Sequence, residues 1–152
     1  MPLYYATATR ERALAAVLAK CDGAIANLRK QATDKFGSDV ADAMLRSVDA
    51  TTADDINAAK ISVAGDTAAV LFPNSARPTM MVKVNGEWRI SVKSLLQDLK
   101  TSPKTFRQSL TKVSTAANQT AAKIREGQYT TPEDASKSLL ESYKTAVSPS
   151  PK

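Results

Sequence analysis

Residues 59–93, AKISVAGDTAAVLFPNSARPTMMVKVNGEWRISVK, constrain the fold of this chain more than any other stretch, because they hold two hairpin signals flanked by short β-rich runs. A two-residue Gly65-Asp66 loop, with glycine suiting the first central position of a type II′ turn, pairs Val63 with Ala68 and Ile61 with Val70. Residues two apart share a face, so Ile61, Val63, Ala68, Val70 and Phe72 fall on one side and Lys60, Ser62 and Thr67 on the other. In the second hairpin, a two-residue Asn85-Gly86 loop puts Val82 and Val84 on the face of Glu87 and Arg89. A three-residue loop of Val84, Asn85 and Gly86 keeps apolar with apolar, pairing Val82 with Trp88 and Met80 with Ile90, and is the predicted register. The expectation is a four-stranded antiparallel meander, linked through Pro73 to Pro78, in which Val63, Val70, Val82 and Trp88 share one buried face.

The flanks read as helix. Leu14, Leu18, Cys21, Ile25, Leu28 and Ala32 step by four and three residues, predicting a helix from Thr9 to Phe36 that ends at Gly37. Gly23 within it marks a bend or a close approach to the sheet. Ser38 opens a shorter helix carrying Val40, Met44 and Leu45, and Thr51 or Thr52 caps a further turn. Residues 94–99 fit a brief helix or an extension of the last strand. Ser102-Pro103 and Thr131-Pro132 each read as a cap followed by proline in the first turn. The helices they start carry Phe106, Leu110, Val113, Ala117, Ala121 and Ile124, then Ala135, Leu139, Leu140, Tyr143 and Val147. The predicted architecture is one α+β domain over residues 1–147. A long N-terminal helix packs Leu14, Leu18 and Ile25 on the meander, two C-terminal helices extend the core over 103–147, and 148–152 form a frayed tail.

Composition narrows the chemistry. With 152 residues and 43% apolar content the chain can bury a core without disulfide or metal. It holds no histidine, the commonest general base and metal ligand. Cys21 is the single cysteine and lies on the apolar stripe, as a buried structural thiol does. Asp22, Asp34, Asp39, Asp42 and Asp49 lack metal-loop spacing, the adjacent Asp54 and Asp55 do not face one another, and the few glycines form no phosphate loop. No catalytic residue, metal or cofactor is assigned. No run reaches the ~18 apolar residues of a membrane span. Arg10 and Arg12 before an apolar run and Lys20-Cys21 imitate a lipoprotein signal, but Lys20 stands where a small residue is required, and a longer amphipathic helix accounts for the same residues.

The formal charge of +6 comes chiefly from residues 101–152, with eight basic against four acidic groups. Lys104, Arg107, Lys112, Lys123 and Arg125 spread over the side of one helix away from its apolar stripe. They are the candidates for an electrostatic surface toward nucleic acid or anionic lipid, although no interleaved aromatics offer base stacking, so nucleic acid is the disfavoured partner.

Val63, Gly65, Asp66, Ala68 and Val70, followed by Lys83, Gly86, Trp88 and Ile90, form the pattern V-x-G-D-x-A-x-V … K-x-x-G-x-W-x-I. With the helices before it, this resembles the cystatin-like α+β roll of the nuclear transport factor two-like superfamily over residues 9–96, in particular its small bacterial envelope and lipoprotein members. The resemblance implies a curved sheet wrapped on the long helix around a cone-shaped pocket, used for catalysis, ligand binding or dimerisation. It also favours an exported or envelope setting, with the signal removed, over a cytoplasmic one. Leu18, Ile25, Val70, Phe72, Val82, Trp88 and Ile90 are the pocket candidates. Three functions stay open: a non-catalytic module binding a small apolar ligand, a peptide or a copy of itself; an isomerase- or lyase-type enzyme; and an electrostatic binder.

Overall fold

In the computed structural model, residues 3–48, 51, 53–73 and 75–147 are described. In chain order the elements are β1 (Tyr4–Tyr5), α1 (Thr9–Phe36), α2 (Ser38–Arg46), α3 (Ala53–Asn57), β2 (Lys60–Ala64), β3 (Thr67–Leu71), β4 (Thr79–Val84), β5 (Glu87–Ser91), α4 (Val92–Asp98), α5 (Pro103–Arg125) and α6 (Pro132–Val147). The α+β class, the long N-terminal helix and the C-terminal helices follow the sequence pattern. Thr52 and the tail expected at 148–152 lie outside the described residues. The chain divides into two compact units interleaved in sequence, Met1–Ala19 with Ala53–Phe106, and Lys20–Thr52 with Arg107–Lys152.

The first unit holds the sheet, in the order β1-β5-β4-β3-β2. It is five-stranded and mixed rather than a four-stranded antiparallel meander. Tyr4 and Tyr5 pair in parallel with Ile90 and Ser91, and the Ile90 N–H donates to the Leu3 carbonyl at 2.9 Å. The β2–β3 hairpin has the predicted register, Val63 opposite Ala68 and Ile61 opposite Val70, with Gly65 at φ 59° in its loop.

The β4–β5 hairpin corrects the prediction. Val84 faces Glu87, Lys83 faces Trp88, Val82 faces Arg89 and Met81 faces Ile90, closing a two-residue Asn85-Gly86 loop. Asn85 at φ 53° and Gly86 at φ 85° supply the two positive φ values of a type I′ turn, whose twist matches the strands. Ile61, Val63, Ala68, Val70, Met81, Trp88 and Ile90 therefore share one face, and Val82 lies on the other with Met80, Val84 and Arg89. The charged side chains on that second face are accommodated by pairing: Arg89, only 16% exposed, meets Glu87 at 3.3 Å. After β5 the chain turns into helix α4, capped by the Ser91 hydroxyl, which accepts from the Ser94 N–H at 3.3 Å.

The second unit is helical. Residues 20–36 of α1, together with α2, α5 and α6, enclose a core of Ala24, Leu28, Met44, Leu45, Ile124 and Leu139 interleaved with Ala32, Ala41, Ala117, Ala121 and Ala135. Alanine at so many contacts lets helix axes approach toward the short end of the ~8–10 Å range. Ile25, expected against the sheet, packs on this core, as do Phe36, Tyr129 and Tyr143. Hydrogen bonds fix the helix starts. Ser102 Oγ accepts from the Thr105 N–H at 3.1 Å, and Thr131 Oγ1 accepts from the Asp134 N–H at 3.3 Å while donating to the Asp134 carboxylate at 2.9 Å. Arg29 ties α1 to α2 and to the chain beyond it, with Nη2 3.6 Å from Asp42 and donating to the Thr51 carbonyl at 3.1 Å. A Cβ added at Gly23 meets nothing within 4 Å, so this glycine marks no close approach.

Candidate functional site

The free margin of the sheet at β2 stands apart from the rest of the surface. Ala64 and Thr67 flank the two-residue loop and form its closing hydrogen-bonded pair, so Ala64, Ser62 and Lys60 direct their backbone groups toward β3. Ile61 and Val63 then direct their N–H and C=O groups to the open edge. All five residues of β2 are exposed, with Ile61 at 66% and Val63 at 60%. Exposure falls across the same face, through half-buried Val70 to Ala68 at 5%. Ile56, in the helix just before the strand, is exposed as well.

Charge brackets this edge. Lys60 begins the strand and Asp66 sits in the loop that ends it, both exposed, and neither belongs to an ion pair among the described residues. The opposite margin of the sheet, β1, has two residues among those described.

The pocket candidates are distributed over both sheet faces and both units. Val70, Trp88 and Ile90 share the sheet face of Ile61, Val82 faces the other way, Phe72 follows the end of β3, and half-buried Leu18 belongs to the first unit. Ile25 belongs to the helical core. Trp88 is half-buried, and the Lys83 ammonium opposite it stands 5.9 Å from its ring centre, a cation–π distance.

The open grooves among the described residues of the helical unit include two. One, of about 440 Å³, runs between α5 and α6 past Thr111, Thr115 and Thr145, with Lys112 and Glu141 on its walls. The three threonine hydroxyls donate to carbonyls one turn back, those of Arg107, Thr111 and Glu141. The other, about 400 Å³, lies between α2 and the start of α6.

Of the basic candidates, Lys104, Lys112, Lys123 and Arg125 are exposed and Arg107 is half-buried. At ~1.5 Å per residue they are strung over about 31 Å of helix, a sparse row. Lys123 also lies 6.0 Å from the Tyr129 ring centre.

Cys21 is buried, and desolvation followed by the neighbouring Asp22 charge pushes its thiol above the usual range, away from the thiolate a nucleophile requires. Glu11 moves the other way. Its carboxylate accepts from the Thr7 N–H at 2.7 Å and the Ala8 N–H at 3.2 Å, and these bonds hold it below the usual carboxylate range. No group of three or more His, Cys, Asp or Glu side chains among the described residues is placed to hold a metal ion. No helix among them is long and apolar enough to cross a membrane.

The sequence pattern missed the openness of β2, because alternation names an apolar face without saying whether anything covers it. The signal was present in KISVA, a β-branched strand interrupted by neither proline nor a second charge. No protein-family model, curated protein or solved structure matches the chain.

Proposed function

We propose that this chain is a non-catalytic binding module that works by strand addition, taking an extended polypeptide segment along β2 as a further strand of its sheet. The observation that carries the reading is the exposure of all five β2 residues, with the Ile61 and Val63 backbone groups directed outward. Backbone pairing supplies affinity in this mode, and alternate side chains supply selectivity. An incoming strand lays its alternate apolar residues beside Ile61 and Val63. The downward shift at Glu11 is opposite to that of a carboxylate poised to abstract a proton near neutrality, which weighs against the isomerase-type alternative at this residue. The resemblance of residues 9–96 to the roll family bears on the scaffold alone, since one fold serves many functions.

Selection from a library of alternating apolar and polar peptides tests the reading, with amide hydrogen exchange as the readout. Selected peptides are expected to slow exchange at Ile61 and Val63 and to lose binding to a Val63→Pro variant. Peptides that bind while leaving both amides unprotected overturn it.

A further inference from the structure

Resting on the strand-addition reading, we propose that the segment taken up by β2 is β2 of a second copy of this chain, antiparallel across a two-fold axis at Ser62. Three observations lead there. The first is the contrast between the two sheet margins. Proteins protect free edges with very short strands, prolines, bulges or inward charges. β1 has two residues among those described, whereas β2 runs for five in unbroken register with β3 and carries one charge, at its start.

The second observation is parity. Only odd-numbered residues of β2 direct backbone groups outward, so two copies can share hydrogen bonds only where odd residues face odd residues. That condition places the two-fold axis on a residue, and the axis at Ser62 is the one that sets all five residues of β2 opposite strand residues of the second copy.

The third is charge, which fits this register. With the axis at Ile61, each Lys60 faces Ser62 of the second copy and lies diagonal to its Lys60, a like-charge neighbour. With the axis at Val63, Ile61 falls opposite Gly65, which at φ 59° belongs to the loop and not to the strand, so its backbone groups lose their partners. With the axis at Ser62, each Lys60 faces Ala64 and lies diagonal to Asp66 of the second copy, so the two ends of the pairing carry reciprocal opposite charges. Each Ile61 then faces Val63 of the second copy, and the outward backbone groups of both pair across the axis. The Ile61 and Val63 side chains of both copies form one apolar row on the face that also carries Val70 and Trp88. Pairing of five-residue edges buries less than a standard interface, so the dimer is of the weak, concentration-dependent kind.

Sedimentation equilibrium from dilute to millimolar protein tests the proposal. The full chain is expected to dimerise reversibly. Lys60→Asp and Asp66→Lys, both at exposed side chains, each place like charges at the two ends and are expected to weaken dimerisation tenfold or more. Mixing the two variants restores opposite charges at both ends, so the mixture is expected to form heterodimers while each variant alone stays monomeric. Circular dichroism matching the parent controls for folding. A chain that is monomeric throughout, or a dimer indifferent to both charge reversals, overturns the proposal. If selected peptides still protect Ile61 and Val63 in a monomeric chain, the strand-addition reading stands and only the self-pairing falls; if neither peptide nor second copy protects them, both fall.

Discussion

The sheet unit and the helical unit bury their apolar residues to different depths. Apart from Leu14, Ala68 and Val92, the fully buried apolar residues among those described all lie in the helical unit. There, Leu28, Leu45 and Ile124 are at most 1% exposed and close together between alanine-rich helices. The sheet unit has strong local order, with hairpins set by turn chemistry, yet its outermost strand is open along its whole length. Burial accounts for stability in one unit, while the other keeps β-branched side chains at its surface. The difference teaches that the exposed apolar residues of β2 belong to a free edge rather than to a poorly packed protein.

The largest test sets one unit against the other. Leu28→Ala is expected to lower unfolding free energy by about 2–5 kcal/mol through lost burial and the cavity left behind. Ile61→Thr, at an exposed edge, is expected to stay within about 0.5 kcal/mol. Urea unfolding at low protein concentration measures both, and equal losses would break the comparison.

Two glycines sharpen it further. Gly86→Ala keeps open space around the new methyl but forces alanine to φ 85°, with an expected loss of about 1–2 kcal/mol. Gly23→Ala, exposed within α1 and equally unobstructed, is expected to gain about 0.5–1 kcal/mol. Opposite shifts in thermal midpoint check the pair; a loss at both positions would mean that α1 needs its glycine.

The smallest effect concerns pH. Because the folded Glu11 titrates below its unfolded value, its contribution is present above the unfolded value and is lost as pH falls through the folded one. Glu11→Gln is therefore expected to flatten the acid side of the stability profile slightly, visible as a shallower drop in thermal midpoint between neutral and acid pH. An unchanged slope would place the cap's effect elsewhere.

Much of the helical architecture was legible because its signals are local. The stripe from Leu14 to Ala32 and Gly37 predicted both ends of α1, and Ser102 and Thr131 make the capping bonds their positions imply. The second hairpin was misread because apolar parity was weighed above turn chemistry; Asn85-Gly86 adopts the two-residue turn, and the Glu87–Arg89 pair makes the mixed face tolerable. Two-residue β1 is too short to show a period. The core position of Ala24, Ala41 and Ala135 was muted by alanine's weak hydrophobic signature, and the destination of Ile25 is a long-range matter that periodicity cannot name.

The chain passes between units three times, inside α1 after Ala19, between residues 52 and 53, and inside α5 after Phe106. This gives protein synthesis an order. The sheet unit is complete once Phe106 has left the ribosome, whereas Leu28, Met44 and Leu45 are made before the β2–β5 strands and wait for Ile124 and Leu139, made after them. At ~5–20 residues per second, the segment from residue 20 to 48 spends several seconds without its partners, the interval in which a nascent chain calls on a chaperone.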